Sequence, residues 1–104
     1  HVMQHVLWEA CQVPMEIMEK CCEAMEMIRE FAEKGSKMVL SDAGVAATVC
    51  KAALQGASLN VYVNTKSMKD QLQAGVLNAK ADAMLVKYSA LADSIYFDIM
   101  CRLK

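Results

Sequence analysis

The stretch SDAGVAATVCKAALQGASLNVYVNTKSMKD, residues 41–70, decides the fold of this chain. From residue 43 to residue 65 it carries one charged side chain, Lys51, and its glycines and alanines recur at helical spacing. Small residues that recur every four positions let a second helix approach closely. The stretch therefore predicts a long, closely packed helix, with Ser41 as its N-cap and Asp42 in its first turn.

Hydrophobic periodicity predicts that the rest of the chain is helical too. Residues 2–12 and 15–34 follow a helical pattern, and Pro14 either kinks one helix or begins a second one. In 15–34, six glutamates form an acid stripe that we expect to be solvated rather than docked on a basic partner. The stripe contains Glu16, Glu19, Glu23, Glu26, Glu30 and Glu33; the opposite seam contains Ile17, Cys21, Ala24, Ile28 and Phe31, widened by Met18, Met25 and Ala32.

The remaining boundaries follow from capping signals. Gly35 is placed to cap the end of the first long helix, and residues 36–40 are expected to connect it to the next, which should end near 60–64. Ser67 and Asp70, at capping-box spacing, should begin a last helix that runs to the C-terminus. Its apolar seam is Leu77, Ala81, Met84, Tyr88, Leu91, Ile95 and Ile99.

The expected fold class is all-α: long antiparallel helices in a bundle that dimerisation completes. Hydrophobic residues make up 56% of only 104 residues, more than a chain of this size can readily cover by itself. We expect a homodimer or higher homo-oligomer that uses residues 42–64 and the seam of the last helix. The alternative is a tight monomer with a core rich in alanine and methionine.

Composition also excludes several classes of function. The net charge is −1 without a basic cluster, which argues against nucleic-acid binding. Residues 43–63 are long enough to cross a bilayer, but their polar residues and Lys51 make a membrane span costly, so we expect none. The five cysteines lack a CxxC pair, so we expect no metal site, and we interpret them as buried, reduced thiols of a cytoplasmic protein.

Three linked segments resemble a known family. They are SDAGVAA at 41–47, AAL-x-GA-x-LNV at 52–61 and N-x-x-S-x-KD at 64–70, preceded by VP-x-E at 13–16, EKC at 19–21 and EKG at 33–35. Together they resemble the cyclodeaminase domain of formiminotransferase-cyclodeaminase and the related single-domain methenyltetrahydrofolate cyclohydrolases. The specificity comes from the order and spacing of the segments, since no single one is a catalytic signature.

The resemblance implies a folate one-carbon enzyme with a tetrahydrofolate derivative as its small-molecule substrate and no metal. Such an enzyme cyclises 5-formiminotetrahydrofolate with loss of ammonia, or hydrolyses the methenyl compound. Asp42, the only carboxylate in the family-like segment before Asp70, is the candidate catalytic residue; Ser41, Asn60 and Asn64 are candidates for substrate binding. The alternatives are that Asp42 serves only the helix and that the asparagines satisfy carbonyls near a helix end.

One departure from the family pattern bears on activity. Family members are longer, and their first half carries a Gly-rich segment and a D-x-DA-x-AF stretch that supplies the aspartate usually held to be catalytic. This chain contains neither segment and begins with His1. We expect residues 1–104 to be the C-terminal half of such a domain, inactive alone. The alternative is a non-catalytic helical dimerisation module or half of a split enzyme.

Overall fold

The structure is a computed structural model that describes the backbone of residues 2–104 and the side chains of residues 5–104. Three helices account for nearly all of it: α1 (Val2–Lys34), α2 (Lys37–Lys66) and α3 (Gln71–Leu103). Short connections fold them back on one another into a rod of 55 × 17 × 16 Å. The all-α bundle of long antiparallel helices is therefore confirmed; His1 lies outside the described residues.

Helix α1 runs through Pro14 without interruption. A proline cannot donate to the carbonyl four residues before it, so one hydrogen bond of the ladder is lost at this point. The side chain of Pro14 is buried, as is that of its neighbour Met15. Pro14 therefore does not begin a new helix, and the chain has three long helices rather than four pieces.

The start of α2 differs from the prediction. The helix begins at Lys37, with Ser36 in the N-cap position, so residues 37–40 are helical and Ser41 is not the cap. Ser36 occupies the N-cap position but makes no side-chain capping hydrogen bond there. The predicted cap, Ser41, lies inside the helix, although serine is a preferred N-cap residue. The helix also extends past the predicted end, to Lys66, so 61–63 is helical as expected.

Gly35 does follow the end of α1, but for a steric reason. In the described residues no glycine has a positive φ, so Gly35 does not form a left-handed cap. A Cβ at Gly35 would lie 2.8 Å from Cγ1 of Val39 and 2.9 Å from the carbonyl oxygen of Phe31. The tight connection between α1 and α2 therefore requires a residue without a side chain at position 35.

The start of α3 also corrects the prediction. Asp70 is the N-cap, and its carboxylate accepts a hydrogen bond of 3.0 Å from the backbone N–H of Gln73. Ser67 is instead the C-cap of α2 and donates its backbone N–H to the carbonyl of Asn64 at 3.1 Å. Met68, 2% exposed, lies between the two caps and fixes the connection to the core.

The core has one cluster at each end of the rod, and the α3 seam contributes to both. The seam of α3 is buried or half-buried as predicted, so it is covered within the chain and not available to a partner. In α1 the predicted seam is partly wrong, because Ile17 and Phe31 are 44% and 59% exposed. Other members of the predicted seam are buried, namely Met18, Cys21, Met25 and Ala32, together with Cys11, Met15 and Cys22, which the prediction did not include.

The glutamate stripe of α1 is exposed on this chain, apart from the half-buried Glu26, as is typical of a solvated helix face. Among the described residues, no helix is both long and apolar enough to cross a membrane.

Candidate functional site

Helix α2 places the four candidate site residues in two groups. Ser41 and Asp42 lie in its second turn, and Asn60 and Asn64 lie near its end. Eighteen residues separate Asp42 from Asn60, which corresponds to about 27 Å along the helix at 1.5 Å per residue. Within one chain, the structure therefore does not bring the carboxylate and the amides together.

Asp42 is exposed beside an apolar cleft between α1 and α2. The cleft has a volume of about 200 Å³ and is lined also by Ile28, Phe31, Val39, Ala43 and Ala46. Among the described residues, the Asp42 carboxylate has no hydrogen-bond or ion-pair partner. Because α2 begins at Lys37, Asp42 is beyond the first turn, where the helix dipole has little effect. The alternative in which Asp42 only stabilises a helix start thus loses its basis.

Ser41 opens on a different groove. Adjacent residues of a helix point about 100° apart. Ser41 consequently faces α3 and lines a groove of about 440 Å³ with Gly44, Val45, Thr48, Val49, Tyr96, Ile99, Met100, Leu103 and Lys104. The groove is almost entirely apolar, so Ser41 and Asp42 do not share a pocket in this chain.

The two asparagines differ in what they bind. The Nδ2 of Asn64 donates 2.8 Å to the backbone carbonyl of Asn60, so it serves a carbonyl one turn earlier in the helix. The NH2 of Asn64 therefore follows the alternative prediction, in which an asparagine satisfies a carbonyl near the helix end. The Asn60 side chain is exposed and has no hydrogen-bond partner among the described residues. Both the oxygen and the NH2 of the Asn60 amide are thus available to a ligand or a partner.

A polar cluster near the end of α2 was missed in the sequence. The hydroxyl of Tyr62 donates to the Asp82 carboxylate, and the Thr65 hydroxyl donates 2.7 Å to Oδ1 of Asn78. Burial and the hydrogen bond to Asp82 raise the pKa of Tyr62 to about 12. These contacts join α2 to α3 beside Asn64 and hold that end of the helix in place.

A signal for these contacts did exist. In an antiparallel hairpin of helices, the residue numbers of two facing residues add up to a nearly constant value. Both pairs follow that rule. The same register pairs Lys51 with Asp93, whose Nζ and Oδ1 atoms are 2.7 Å apart. Tyr62, Thr65 and their partners could therefore have been found once α2 and α3 were taken as a hairpin.

A second network joins α1 to α3 near the middle of the rod. The hydroxyl of Tyr88 donates 3.0 Å to Oε2 of Glu26, and Nε of Arg29 lies 3.0 Å from Oε1 of the same carboxylate. The hydrogen bond from Tyr88, followed by that from Arg29, lowers the pKa of Glu26. Glu26 is thereby drawn out of the acid stripe and into the packing of the helices.

The cysteines are free thiols with a packing role. Cys11, Cys21 and Cys22 are buried as predicted, whereas Cys50 is only half-buried and Cys101 is exposed. Burial is the main cause that raises the pKa of Cys22 to about 11, which keeps this thiol protonated at neutral pH. No group of three or more potential metal ligands occurs in the described part of the chain.

Comparison with known proteins agrees with the resemblance. The sequence model of the family described as Formiminotransferase-cyclodeaminase matches residues 1–83. The chain belongs to the formiminotransferase-cyclodeaminase family. The match includes all of α1 and α2, and therefore all four candidate residues.

Two relatives show how much of a family member is present. The chain is 37% identical over 94 residues to a methenyltetrahydrofolate cyclohydrolase of Methylorubrum extorquens; the match covers 90% of this chain and 45% of that protein. It is 33% identical over 70 residues to a formimidoyltransferase-cyclodeaminase of Rattus norvegicus, covering 67% of this chain and 13% of that protein. The chain thus spans less than half the length of these relatives.

Proposed function

We propose that this chain is part of a folate one-carbon enzyme that acts on a tetrahydrofolate derivative. The reaction would be either the cyclisation of 5-formiminotetrahydrofolate with loss of ammonia or the hydrolysis of 5,10-methenyltetrahydrofolate. The names of the two relatives support this pair of reactions, since one is a cyclohydrolase and the other a cyclodeaminase.

The observation that carries the proposal is the Asp42 carboxylate, exposed and unpartnered within the described chain, beside an apolar cleft. Both reactions move a proton at nitrogen and pass through a cationic, imidazolinium-like centre. A carboxylate can accept or return that proton and can stabilise the positive charge. An apolar wall next to the carboxylate strengthens such electrostatic contacts because it excludes water. In this role Asp42 would act on the reacting centre directly.

The other candidates would bind rather than react. The amides of Asn60 and Asn64 match the alternating donors and acceptors of a pterin ring, and Ser41 offers a hydroxyl. Within one chain, Asn60 and Asn64 lie near the other end of α2 from Asp42. The proposal therefore requires a homodimer or higher homo-oligomer whose site combines two copies. No metal takes part in this proposal. The five free cysteines favour the cytoplasm as the compartment, because thiols stay reduced there.

The decisive experiment follows the absorbance of methenyltetrahydrofolate. The 104-residue chain alone should show no turnover and at most weak folate affinity. In a longer protein that contains this chain and the rest of the family domain, Asp42→Asn should lower kcat by about 10²-fold or more, as expected for loss of general acid–base catalysis. Glu23→Gln, which alters another exposed carboxylate, is the matched control and should leave kcat unchanged.

Two results would contradict parts of this proposal. Full turnover by Asp42→Asn in the longer protein would remove Asp42 from catalysis. Clear turnover by the 104-residue chain would show that its own residues suffice.

The second candidate function is a non-catalytic dimerisation module or half of a split enzyme. It is favoured by the exposed apolar side chains along α2, among them Val45, Leu59 and Val63. Absence of any longer family protein that contains this chain would support it.

A further inference from the structure

Two cysteines of different helices meet beside a groove between α1 and α2. The Sγ atom of Cys50 lies 4.0 Å from the backbone carbonyl oxygen of Cys21. A hydrogen bond also joins the two thiols themselves. Both side chains line the groove, which has a volume of about 360 Å³. The two sulfur atoms are thus neighbours in a place that a small molecule can enter.

A second contact shows how closely α1 and α2 approach each other along this edge. The Sγ atom of Cys11 lies 3.9 Å from the backbone carbonyl oxygen of Val61. This contact has the same antiparallel register as that of Cys50 with Cys21, because the residue numbers add up to nearly the same value. A cysteine side chain is short, so a thiol reaches the backbone of another helix only where the two helices pack closely. Ala24, which lines the groove beside Cys21, is small enough to permit this approach.

The two thiols of the groove differ in how easily a reagent reaches them. Cys50 is half-buried, whereas Cys21 is only 8% exposed. Burial raises the pKa of Cys21, and the adjacent Cys50 raises it further. A buried thiol that stays protonated is slow to attack a molecule in solution. Cys50 is therefore the thiol that an incoming reagent meets, and Cys21 is placed to react second.

We propose that Cys21 and Cys50 are a redox-responsive pair that reacts with a low-molecular-weight disulfide and closes to a disulfide between α1 and α2. In the first step the Cys50 thiolate attacks one sulfur of the small disulfide and forms an S–S bond to it. The other half of the small disulfide leaves as a thiolate and takes up a proton.

The second step closes the bond between the helices. Cys21 loses its proton and attacks the Cys50 sulfur, the Cys21–Cys50 bond forms, and the remaining half of the small disulfide leaves and is protonated. Two thiols of the chain are thereby oxidised, and one small disulfide is reduced to two thiols. In a reducing compartment both cysteines stay free, and the pair closes only when the ratio of small disulfide to thiol rises.

The bond would hold α1 against α2 next to the cleft of Asp42. Ala46, one helical turn before Cys50, lines that cleft together with Ile28. The closed loop contains the whole connection between the two helices, so the link restricts the unfolded chain more than the folded one. Oxidation should therefore raise the Tm of the chain by about 10 °C or more.

Equilibration with mixtures of oxidised and reduced glutathione tests the pair in the folded chain. On a Cys101→Ser background, which removes the exposed thiol, the intact mass should fall by two hydrogens, and dithiothreitol should reverse the change. Digestion with trypsin should yield peptide 21–29 joined to peptide 38–51. Thermal melts followed by circular dichroism should show the rise in Tm on oxidation.

Peptide 21–29 contains both Cys21 and Cys22, so two matched variants assign the bond. Adjacent residues of a helix point about 100° apart, and Cys22→Ala should therefore still form the bond. Cys21→Ala should not form it and should instead retain one glutathione on Cys50. Fragmentation of the linked peptide between residues 21 and 22 assigns the bond even where a variant fails to fold.

A reversible bond at Cys21 together with a raised Tm supports the pair. A bond that survives Cys21→Ala and is lost in Cys22→Ala would overturn the assignment. A chain that keeps glutathione on Cys50 without closing the bond, or that stays fully reduced, would show that the two thiols do not meet in the folded state. An oxidised chain that melts below the reduced one would show that the bond distorts the packing of α1 on α2, and would also overturn the pair. None of these results bears on folate turnover, which the absorbance assay measures separately.

Discussion

Helices α1 and α2 have similar lengths, 33 and 30 residues, but their solvent-facing sides differ in polarity. The outward face of α1 carries the acid stripe, whereas that of α2 carries valines, a leucine and small residues. A stripe of like charges requires water around it and cannot pack against a copy of itself. An apolar face of similar length has the reverse preference. The difference supports the proposed homodimer, in which α2 rather than α1 would pack against a second copy.

The largest expected effect contrasts the two sides of α2. Leu54 is completely buried and Leu59 is 68% exposed, although both are leucines of one helix. Leu54→Ala should reduce the free energy of unfolding by about 2–5 kcal/mol, because it removes buried methyl groups and leaves a cavity. Urea denaturation at several protein concentrations measures it.

Leu59→Ala is the matched control for that measurement. It should lower stability only at concentrations where the dimer forms. An equal loss for both variants in dilute protein would mean that the inner and outer faces of α2 are assigned wrongly.

The fold could be predicted from the sequence because the periodicity of its long helices is unambiguous. Helix boundaries could not, since Ser36 and Ser41 are equally acceptable caps by local preference. Only the structure shows that α2 begins directly after the tight turn at Gly35, where an added Cβ would lie 2.8 Å from Cγ1 of Val39. The predicted seam of α1 was too wide, because methionine and isoleucine have similar hydrophobicity and both Met18 and Ile17 were placed in it. Only the positions of α2 and α3 determine that Met18 is buried and Ile17 exposed.

The second prediction concerns Gly56, for which the sign of the effect reports a partner. Leucine favours a helix by nearly 1 kcal/mol over glycine, and this chain leaves open space at the position. Gly56→Leu should therefore stabilise the isolated chain by up to that amount. In the proposed homodimer, the leucine at position 56 would overpack an interface formed by α2. There the substitution should cost about 1–3 kcal/mol, with loss of the dimer.

Thermal melts at low and high concentration separate the two cases for Gly56→Leu. Stabilisation at every concentration would show that no helix approaches this position. Gly75→Leu, a second glycine whose Cβ would meet no atom within 4 Å, is the control and should stabilise regardless of concentration.

The candidate site was less predictable than the fold. The sequence identifies Asp42, Asn60 and Asn64 through the family resemblance, and helical spacing shows that they share an edge of α2. Spacing along one chain cannot reveal whether a second chain brings them together. The contact of Tyr62 with Asp82 was missed for a different reason, since it depends on the register of α2 against α3.

The third prediction concerns the acid stripe of α1. Glu23→Gln should change stability by less than about 0.5 kcal/mol, because the Glu23 side chain is 68% exposed and its contact with Lys20 is a surface ion pair. The dimer should be unaffected. Chemical denaturation and sedimentation of the variant provide the test. A loss of association would show that the acid stripe, and not α2, forms the interface.

A pH-dependent effect is expected at the edge of α2 that faces α3, where Tyr62 contacts Asp82. Partial burial and this carboxylate raise the pKa of Tyr62 to about 12, above the ordinary phenol value of about 10. The folded chain thus holds this proton more tightly than the unfolded chain does. The stability that this contact adds is complete below about pH 10 and is lost as the pH rises from about 10 to about 12.

The variant Tyr62→Phe tests this contact. It should remove the loss of stability between about pH 10 and about pH 12, together with the latest phase of the phenolate absorbance titration. Tyr62→Phe keeps the ring that packs against α3, so stability at neutral pH should fall only by the value of one hydrogen bond, about 1 kcal/mol. A late phase that persists in Tyr62→Phe would mean that the contact with Asp82 does not form in solution.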